Sequence, residues 1–113
     1  MRLKDNFEGI ELYTIENDGS LKGAYTNIRI NGRVFNEIAR RTSQSDNDRI
    51  SGHYLSSWEE PDGTHNGTLI ISRSPGGEYD FTWSDNRSEI NPAFRGVGYI
   101  MNDDQISVSY WDC

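Results

Sequence analysis

Aromatic residues that alternate with polar ones are the residues of this sequence best suited to forming a binding site. Tyr79, Phe81 and Trp83 occupy every second position of one segment, with Asp80 and Thr82 between them. Alternation of period two is typical of β-strands, whose successive side chains point to opposite faces. Rings that carry hydroxyl or indole N–H groups can enclose an apolar ligand and orient its polar end. The segment therefore predicts a strand with one aromatic face that could line a cavity.

Two further segments, 50–59 and 105–111, have aromatic residues in the same alternation. In the segment 50–59, Tyr54 and Trp58 share a face with the small residues Gly52 and Ser56. Two arginines are further candidates for ligand binding. Arg87 and Arg95 flank a polar linker between two predicted strands, where a guanidinium could bind a carboxylate or phosphate. The predicted ligand-binding residues are Tyr54, Trp58, Tyr79, Phe81, Trp83, Arg87, Arg95 and Tyr110.

Each of these candidates also has a purely structural interpretation. Hydrophobic residues make up 34% of the chain, so the rings could simply fill a core that has little else to fill it. The arginines could pair with Asp85 or Glu89 rather than with a ligand. The small residues beside the rings, which favour some open space, are Gly52, Ser56, Gly96 and Gly98. Both interpretations remain open from the sequence.

The sequence predicts no catalytic residue, no metal site and no cofactor. His53, the only histidine in a predicted strand, falls on the face opposite the rings, where a general base has no assured partner. The segment 59–65 combines three acidic residues with His65, but it lacks a regular metal-ligand spacing and is typical of a solvated hairpin turn. No nucleophile elbow, phosphate loop or zinc-binding helix motif is present.

Turn residues between the alternating segments predict eight strands joined by short connections. Pairs such as Asn31-Gly32 tolerate the positive φ of tight hairpin turns. The segment 33–41 also has apolar residues at helical spacing, but the preceding Asn-Gly favours a strand, and the polar stretch 42–48 predicts the longest loop. The predicted strands are about 9–16, 20–31, 33–41, 50–59, 66–73, 78–85, 93–101 and 105–111.

These strands predict an all-β fold in which the first strand meets the last. An open antiparallel meander would leave two unpaired edges and a bare apolar face, and rolling the sheet into a barrel removes both. We therefore predict one domain over residues 1–113, an eight-stranded antiparallel up-and-down β-barrel. The interior of such a barrel can be filled by side chains or can hold one small ligand.

Two short motifs resemble those of the calycin-type barrels, the lipocalin-like and avidin-like proteins. Those families place Gly-x-Trp at the start of a strand and a Gly-Thr-Leu-like strand later. Here Gly52-His53-Tyr54 and Gly67-Thr68-Leu69 occupy the corresponding places, with Tyr54 where the families have Trp. The resemblance covers about residues 50–111 and implies the barrel architecture only, because no ligand-binding motif of these families matches residue by residue.

Charge and cysteine content limit the partners and the compartment. The 113 residues carry a net charge of −7 from 18 acidic and 11 basic residues, which argues against nucleic acid or an anionic membrane as a partner. No apolar leader follows the polar start, and no segment approaches the ~18 apolar residues of a membrane span. Cys113 is the only cysteine, so no internal disulfide is expected, and a cytoplasmic location is predicted.

Three functional hypotheses follow from these observations. The first is a non-enzymatic barrel that binds a small apolar or aromatic ligand. The alternative is an acidic protein-interaction module, such as an inhibitor or immunity-type protein, in which the core is solid and the outer surface meets a basic protein. The third is a small barrel enzyme that uses Tyr or His as a proton carrier. The sequence leaves a homo-oligomer open.

Overall fold

The computed structural model describes residues 8–44 and 48–113, which form eight β-strands and one short 3-10 helix. The 3-10 helix, Ile28–Ile30, lies between the second and third strands. The strands are β1 Glu8–Ile15, β2 Leu21–Asn27, β3 Phe35–Gln44, β4 Gly52–Glu60, β5 Gly63–Arg73, β6 Tyr79–Asp85, β7 Phe94–Asn102 and β8 Gln105–Asp112. Within the described residues, none of the helical structure is long and apolar enough to cross a membrane.

The strands close into a barrel in which each strand pairs antiparallel with the next along the chain. Closure comes from pairing of β1 with β8, in which Gly9 lies opposite Tyr110 and Tyr13 lies opposite Ile106. Because the first and last strands meet, neither is left with an open row of N–H and C=O groups. The predicted all-β, eight-stranded, up-and-down antiparallel barrel is confirmed.

The connection between β2 and β3 differs from the predicted hairpin. The predicted strand 20–31 ends at Asn27, whose side chain accepts a hydrogen bond from the backbone N–H of Arg29 at 2.9 Å and starts the 3-10 helix. Asn31 and Gly32 then reverse the chain with φ angles of 54° and 77°. The segment 33–41 contains strand and no helix, as predicted.

The predicted loop 42–48 begins three residues too early. Strand β3 continues through Gln44, so residues 42–44 belong to the sheet. Residues 45–47 lie outside the described part of the chain. Ser51, which the alternation placed on the outer face, is instead buried just before β4, because its hydroxyl donates to the carboxylate of Asp48 at 2.8 Å.

One half of the barrel interior is densely packed. This half lies toward the end where the β1–β2 and β5–β6 connections turn, and it includes a stacked pair, Tyr13 and Phe81, with ring centroids 5.8 Å apart. The inner faces predicted for β4, β6 and β8 are confirmed, since their alternate residues are buried. The buried residues of this packed half include Ile15, Leu21, Ala39, Ile50, Tyr54, Leu69, Ile71, Tyr79, Ile106 and Val108.

Candidate ligand-binding cavity

The other half of the barrel contains a cavity of about 360 Å³. It opens at the end where the β2–β3, β4–β5 and β6–β7 connections lie, and Pro92 and Ala93 of the last connection form part of its wall. Small-molecule sites in proteins commonly have volumes of ~300–1,000 Å³. The aromatic residues that line it are Tyr25, Trp58, Trp83, Phe94 and Tyr110.

These rings support one another through edge-to-face contacts. The Tyr110 ring lies 6.2 Å from Tyr25 at 81°, 6.0 Å from Trp83 at 61° and 6.2 Å from Phe94 at 78°. Such tilted arrangements are the favourable ones for aromatic quadrupoles. The ring of Tyr110 packs directly on Gly9, where an added Cβ would lie 2.4 Å from the ring atom Cζ. The aromatic wall is therefore held in place before any ligand binds.

A buried carboxyl group, that of Glu37 on β3, lies at the junction of the cavity and the packed half. Its Oε1 atom accepts a hydrogen bond from the Tyr13 hydroxyl at 2.7 Å. Its Oε2 atom accepts hydrogen bonds from the Ser56 hydroxyl and, at 3.1 Å, from the indole N–H of Trp83. Donors from three other strands thus surround this carboxyl group, which is the pattern expected when a carboxylate is buried successfully.

A second buried carboxyl group, Glu11 on β1, lines the cavity and has a different environment. Among the described residues none forms a hydrogen bond with its Oε2 atom, although the side chain is only 5% exposed. The carboxyl group fits because β2 has Gly23 here, where an added Cβ would lie 2.1 Å from that oxygen. Burial, together with the negative charge of Glu37, raises the pKa of Glu11 well above its ordinary value.

His65 supports the cavity wall from inside the barrel. Its Nδ1 and Nε2 atoms lie 2.7 Å from carboxylate oxygens of Asp85 and Asp62. Burial lowers the pKa of His65, but these two carboxylates outweigh burial and raise the pKa above its usual value. The ring stacks on Trp58 with centroids 6.0 Å apart, while the Trp58 indole N–H donates to Glu60 at 2.8 Å. The His65 ring, fixed between these two carboxylates, therefore holds Trp58 in position.

The predicted solvated hairpin turn is present at Pro61 and Asp62, but the prediction that it includes His65 was wrong. Strand β5 begins at Gly63 rather than at residue 66, so His65 lies in a strand and points inward. Ligand atoms of Glu60, Asp62 and His65 lie within 4.8 Å of one another and could approach a metal ion. Each ring nitrogen of His65 already faces a carboxylate, however, and a metal ion would have to replace one of these hydrogen bonds.

The predicted ligand-binding residues separate into three groups. Trp58, Trp83 and Tyr110 line the cavity. Tyr54, Tyr79 and Phe81 lie in the packed half of the interior. The Tyr54 hydroxyl donates to the backbone oxygen of Ile50 at 2.6 Å, and burial raises the pKa of Tyr54 to about 12. The third group comprises the arginines Arg87 and Arg95.

The two arginines lie on the outer surface rather than in the cavity wall. Arg87 is exposed, and its guanidinium forms an ion pair with Asp62 at 3.2 Å rather than with Asp85 or Glu89 as considered from the sequence. Its backbone N–H donates to Asp85 at 2.9 Å. Arg95 is exposed on β7, opposite Thr82 in the ladder. His53 is exposed on β4, on the outer face that the alternation predicted.

Sequence reasoning missed Glu11 and Glu37, which are central to the cavity. Each lies next to an exposed apolar residue: Leu12, 47% exposed, follows Glu11, and Ile38, 46% exposed, follows Glu37. Because apolar residues usually face the core, these neighbours suggest that the two glutamates point outward. The hairpin register gives the correct face, because Leu21 pairs with both Ile15 and Ala39. Counting back in twos from those buried residues reaches Glu11 and Glu37.

Comparison with known proteins gives no match to this chain, whether with protein-family models, with curated proteins or with solved structures. The architecture is therefore established by the coordinates alone: a closed, eight-stranded antiparallel barrel.

Proposed function

We propose that this protein binds a small molecule in the cavity at the open end of the barrel, against Trp58, Trp83 and Tyr110. The observation that carries this proposal is an aromatic-walled space of about 360 Å³ in a barrel whose other half is packed. A protein-interaction module with a solid core, the alternative considered from the sequence, has no use for such a space. The proposal is therefore a small-molecule-binding function.

Two features of the proposed site suit a preformed pocket. The ring contacts fix the wall in the absence of a ligand, which lowers the entropy cost of binding. Ala93 is held by backbone hydrogen bonds on both sides, from its N–H to the oxygen of Trp83 at 2.8 Å and from the N–H of Cys113 to its own oxygen at 3.0 Å. The β6–β7 connection therefore forms a structured side of the opening.

The calycin-type resemblance and the cytoplasmic location belong to this proposal too. The resemblance gains support from the closed meander of eight strands, which is the architecture that it implies. A reducing compartment suits a chain whose one cysteine, Cys113, is exposed and free.

The proposal is tested by native mass spectrometry of the freshly purified protein and by thermal shift across a metabolite panel. We expect a retained small molecule, or a ligand that raises the melting temperature. Ala93→Trp should fill the cavity and weaken binding at least tenfold. Ala24→Trp makes the same substitution at an exposed position of β2 and is the matched control. A bare protein without any thermal shift would contradict the proposal.

A further inference from the structure

We propose that the ligand is a small organic monocation whose ammonium group binds the carboxyl group of Glu11 and whose apolar body packs against the aromatic wall. This inference rests on the proposed function, and it names the chemical class of the ligand. It comes from the carboxyl pair of Glu11 and Glu37, neither of which was among the binding residues predicted from the sequence.

An unsatisfied oxygen of Glu11 favours a ligand that donates a hydrogen bond. Oε2 is buried and has no hydrogen-bond donor among the residues that the structure describes, while the side chain lines the cavity. Buried acceptors are almost always satisfied, because an unmade hydrogen bond costs the full desolvation of the group. An N–H group of a ligand would supply the missing donor, and a charged ammonium would do so most strongly.

Hydrogen bonding distinguishes the two carboxyl groups. Glu37 already accepts hydrogen bonds from Tyr13, Ser56 and Trp83, so its role is to add negative charge rather than to contact the ligand. Glu11 lines the cavity, and its Oε2 atom, which packs against Gly23, has no hydrogen-bond donor among the described residues. A pair that contains one satisfied and one unsatisfied carboxyl group attracts a cation to Glu11 rather than to Glu37.

The charge of the cavity lining favours a cation over an anion. Its acidic residues outnumber its basic ones four to one, and the single arginine, Arg29, lies 3.6 Å from the carboxylate of Asp112. An anionic ligand would meet like charges in a confined space of low dielectric, where repulsion is strong. The acidic residues of the lining are Glu11, Glu37, Glu60 and Asp112.

The aromatic wall also favours a cation. The face of a Trp or Tyr ring attracts a cation that lies within about 6 Å of its centroid, and the attraction grows when the cation is desolvated. Trp58, Trp83 and Tyr110 line the same space as Glu11. The wall can therefore bind both the charge and the apolar body of an aryl- or alkylammonium ion.

Proton exchange gives this binding a recognisable signature. Because burial and Glu37 raise the pKa of Glu11, binding of a cation should favour the ionised carboxylate and release a proton. Burial also raises the pKa of Tyr25 and of Tyr110 above the usual range, so these groups stay neutral. The titratable and charged groups around Glu11 and the cavity are Tyr13, Tyr25, Arg29, Glu37, Glu60, Tyr110 and Asp112.

The test compares three probes of similar shape by calorimetry and tryptophan fluorescence: 2-phenylethylammonium, neutral 2-phenylethanol and anionic 3-phenylpropanoate. We expect the cation to bind at least tenfold more tightly than the other two. Its affinity should rise between pH 5 and pH 8, and calorimetry in buffers of different ionisation enthalpy should detect proton release. This last measurement needs only the unmodified protein.

Two variants locate the charge that is responsible. Glu11→Gln keeps the shape and removes the charge, so it should weaken binding of 2-phenylethylammonium at least tenfold and change the affinity for 2-phenylethanol little. Asp80→Asn makes the same change in net charge on the exposed face of β6 and should leave both affinities within about twofold. Tight cation binding that survives Glu11→Gln would overturn the inference.

The remaining outcomes separate this inference from the proposed function. Equal affinity for the cation and the alcohol, or preference for the anion, would overturn the inference while leaving a small-molecule site in place. If none of the three probes binds and native mass spectrometry detects no retained molecule, both proposals fail.

Discussion

Glu11 brings a second carboxyl group into an interior that already contains Glu37. Buried acidic side chains cost free energy unless hydrogen bonds or opposite charges compensate them. Glu37 receives that compensation from its donors, whereas Oε2 of Glu11 does not. Such a residue destabilises the folded protein in the absence of a ligand. Residues that form binding sites often reduce stability in this way.

Replacing Glu11 should therefore stabilise the protein without ligand, with a dependence on pH that identifies the cause. The pKa of Glu11 is raised in the folded state, so the folded protein binds this proton more tightly than the unfolded chain. Its stability then falls as pH rises from the ordinary carboxyl value toward the folded value. Glu11→Gln lacks this loss, and its free energy of unfolding should exceed that of the wild type by about 1–3 kcal/mol at pH 8.

Urea unfolding at pH 5 and pH 8 measures this difference. The gain from Glu11→Gln should be smaller at pH 5, and Asp80→Asn on the outer face should show no comparable pH-dependent gain. A variant that is less stable than the wild type at pH 8 would mean that the Glu11 carboxylate is well compensated in the free protein.

At the scale of the strands, alternation predicted some faces correctly and left others unresolved. In β6 the three rings fall on one face and the residues between them on the other, so Tyr79, Phe81 and Trp83 could be assigned from sequence. In β1 apolar side chains occur on both faces, and Ile10 is 62% exposed while Glu11 is buried. Register between strands decides such cases, and register depends on turn geometry that composition does not reveal.

The β6 assignment predicts opposite sensitivities at two adjacent positions. Trp83 is 4% exposed, contacts Phe81 at 5.6 Å between centroids and donates to Glu37. Trp83→Ala should lower the free energy of unfolding by ~3–5 kcal/mol because it leaves a large void and removes a donor. Thr82→Ala, on the outer side of the same strand, should change it by less than about 0.5 kcal/mol. Equal small effects in urea unfolding would contradict the face assignment.

For the whole molecule, closure could be predicted from the sequence, whereas the cavity could not. Eight antiparallel strands with apolar faces have few arrangements that leave no edge strand unpaired. The pairing of β1 with β8 therefore follows from the general cost of unpaired N–H and C=O groups at sheet edges. Whether the interior is hollow depends on how side chains from different strands share a volume. The size of the cavity depends on single residues: Gly23 leaves room for the carboxyl group of Glu11, and Gly9 leaves room for the ring of Tyr110.

Closure itself can be tested at Ser107, which lies on β8 between Leu12 of β1 and Tyr99 of β7. Each strand of a closed barrel has two neighbours, so the N–H group of Ser107 points to one of them and proline must remove a ladder hydrogen bond. Ser107→Pro should lower the free energy of unfolding by about 2–3 kcal/mol relative to Ser107→Ala, since both remove the same exposed hydroxyl. Ser107→Pro should also promote association between protein molecules, because it leaves backbone groups at strand edges unpaired; light scattering detects this association. Equal stability and a monomeric state for both variants would show that β8 has an open edge, and a barrel with an open edge would not enclose the cavity on which both proposals depend.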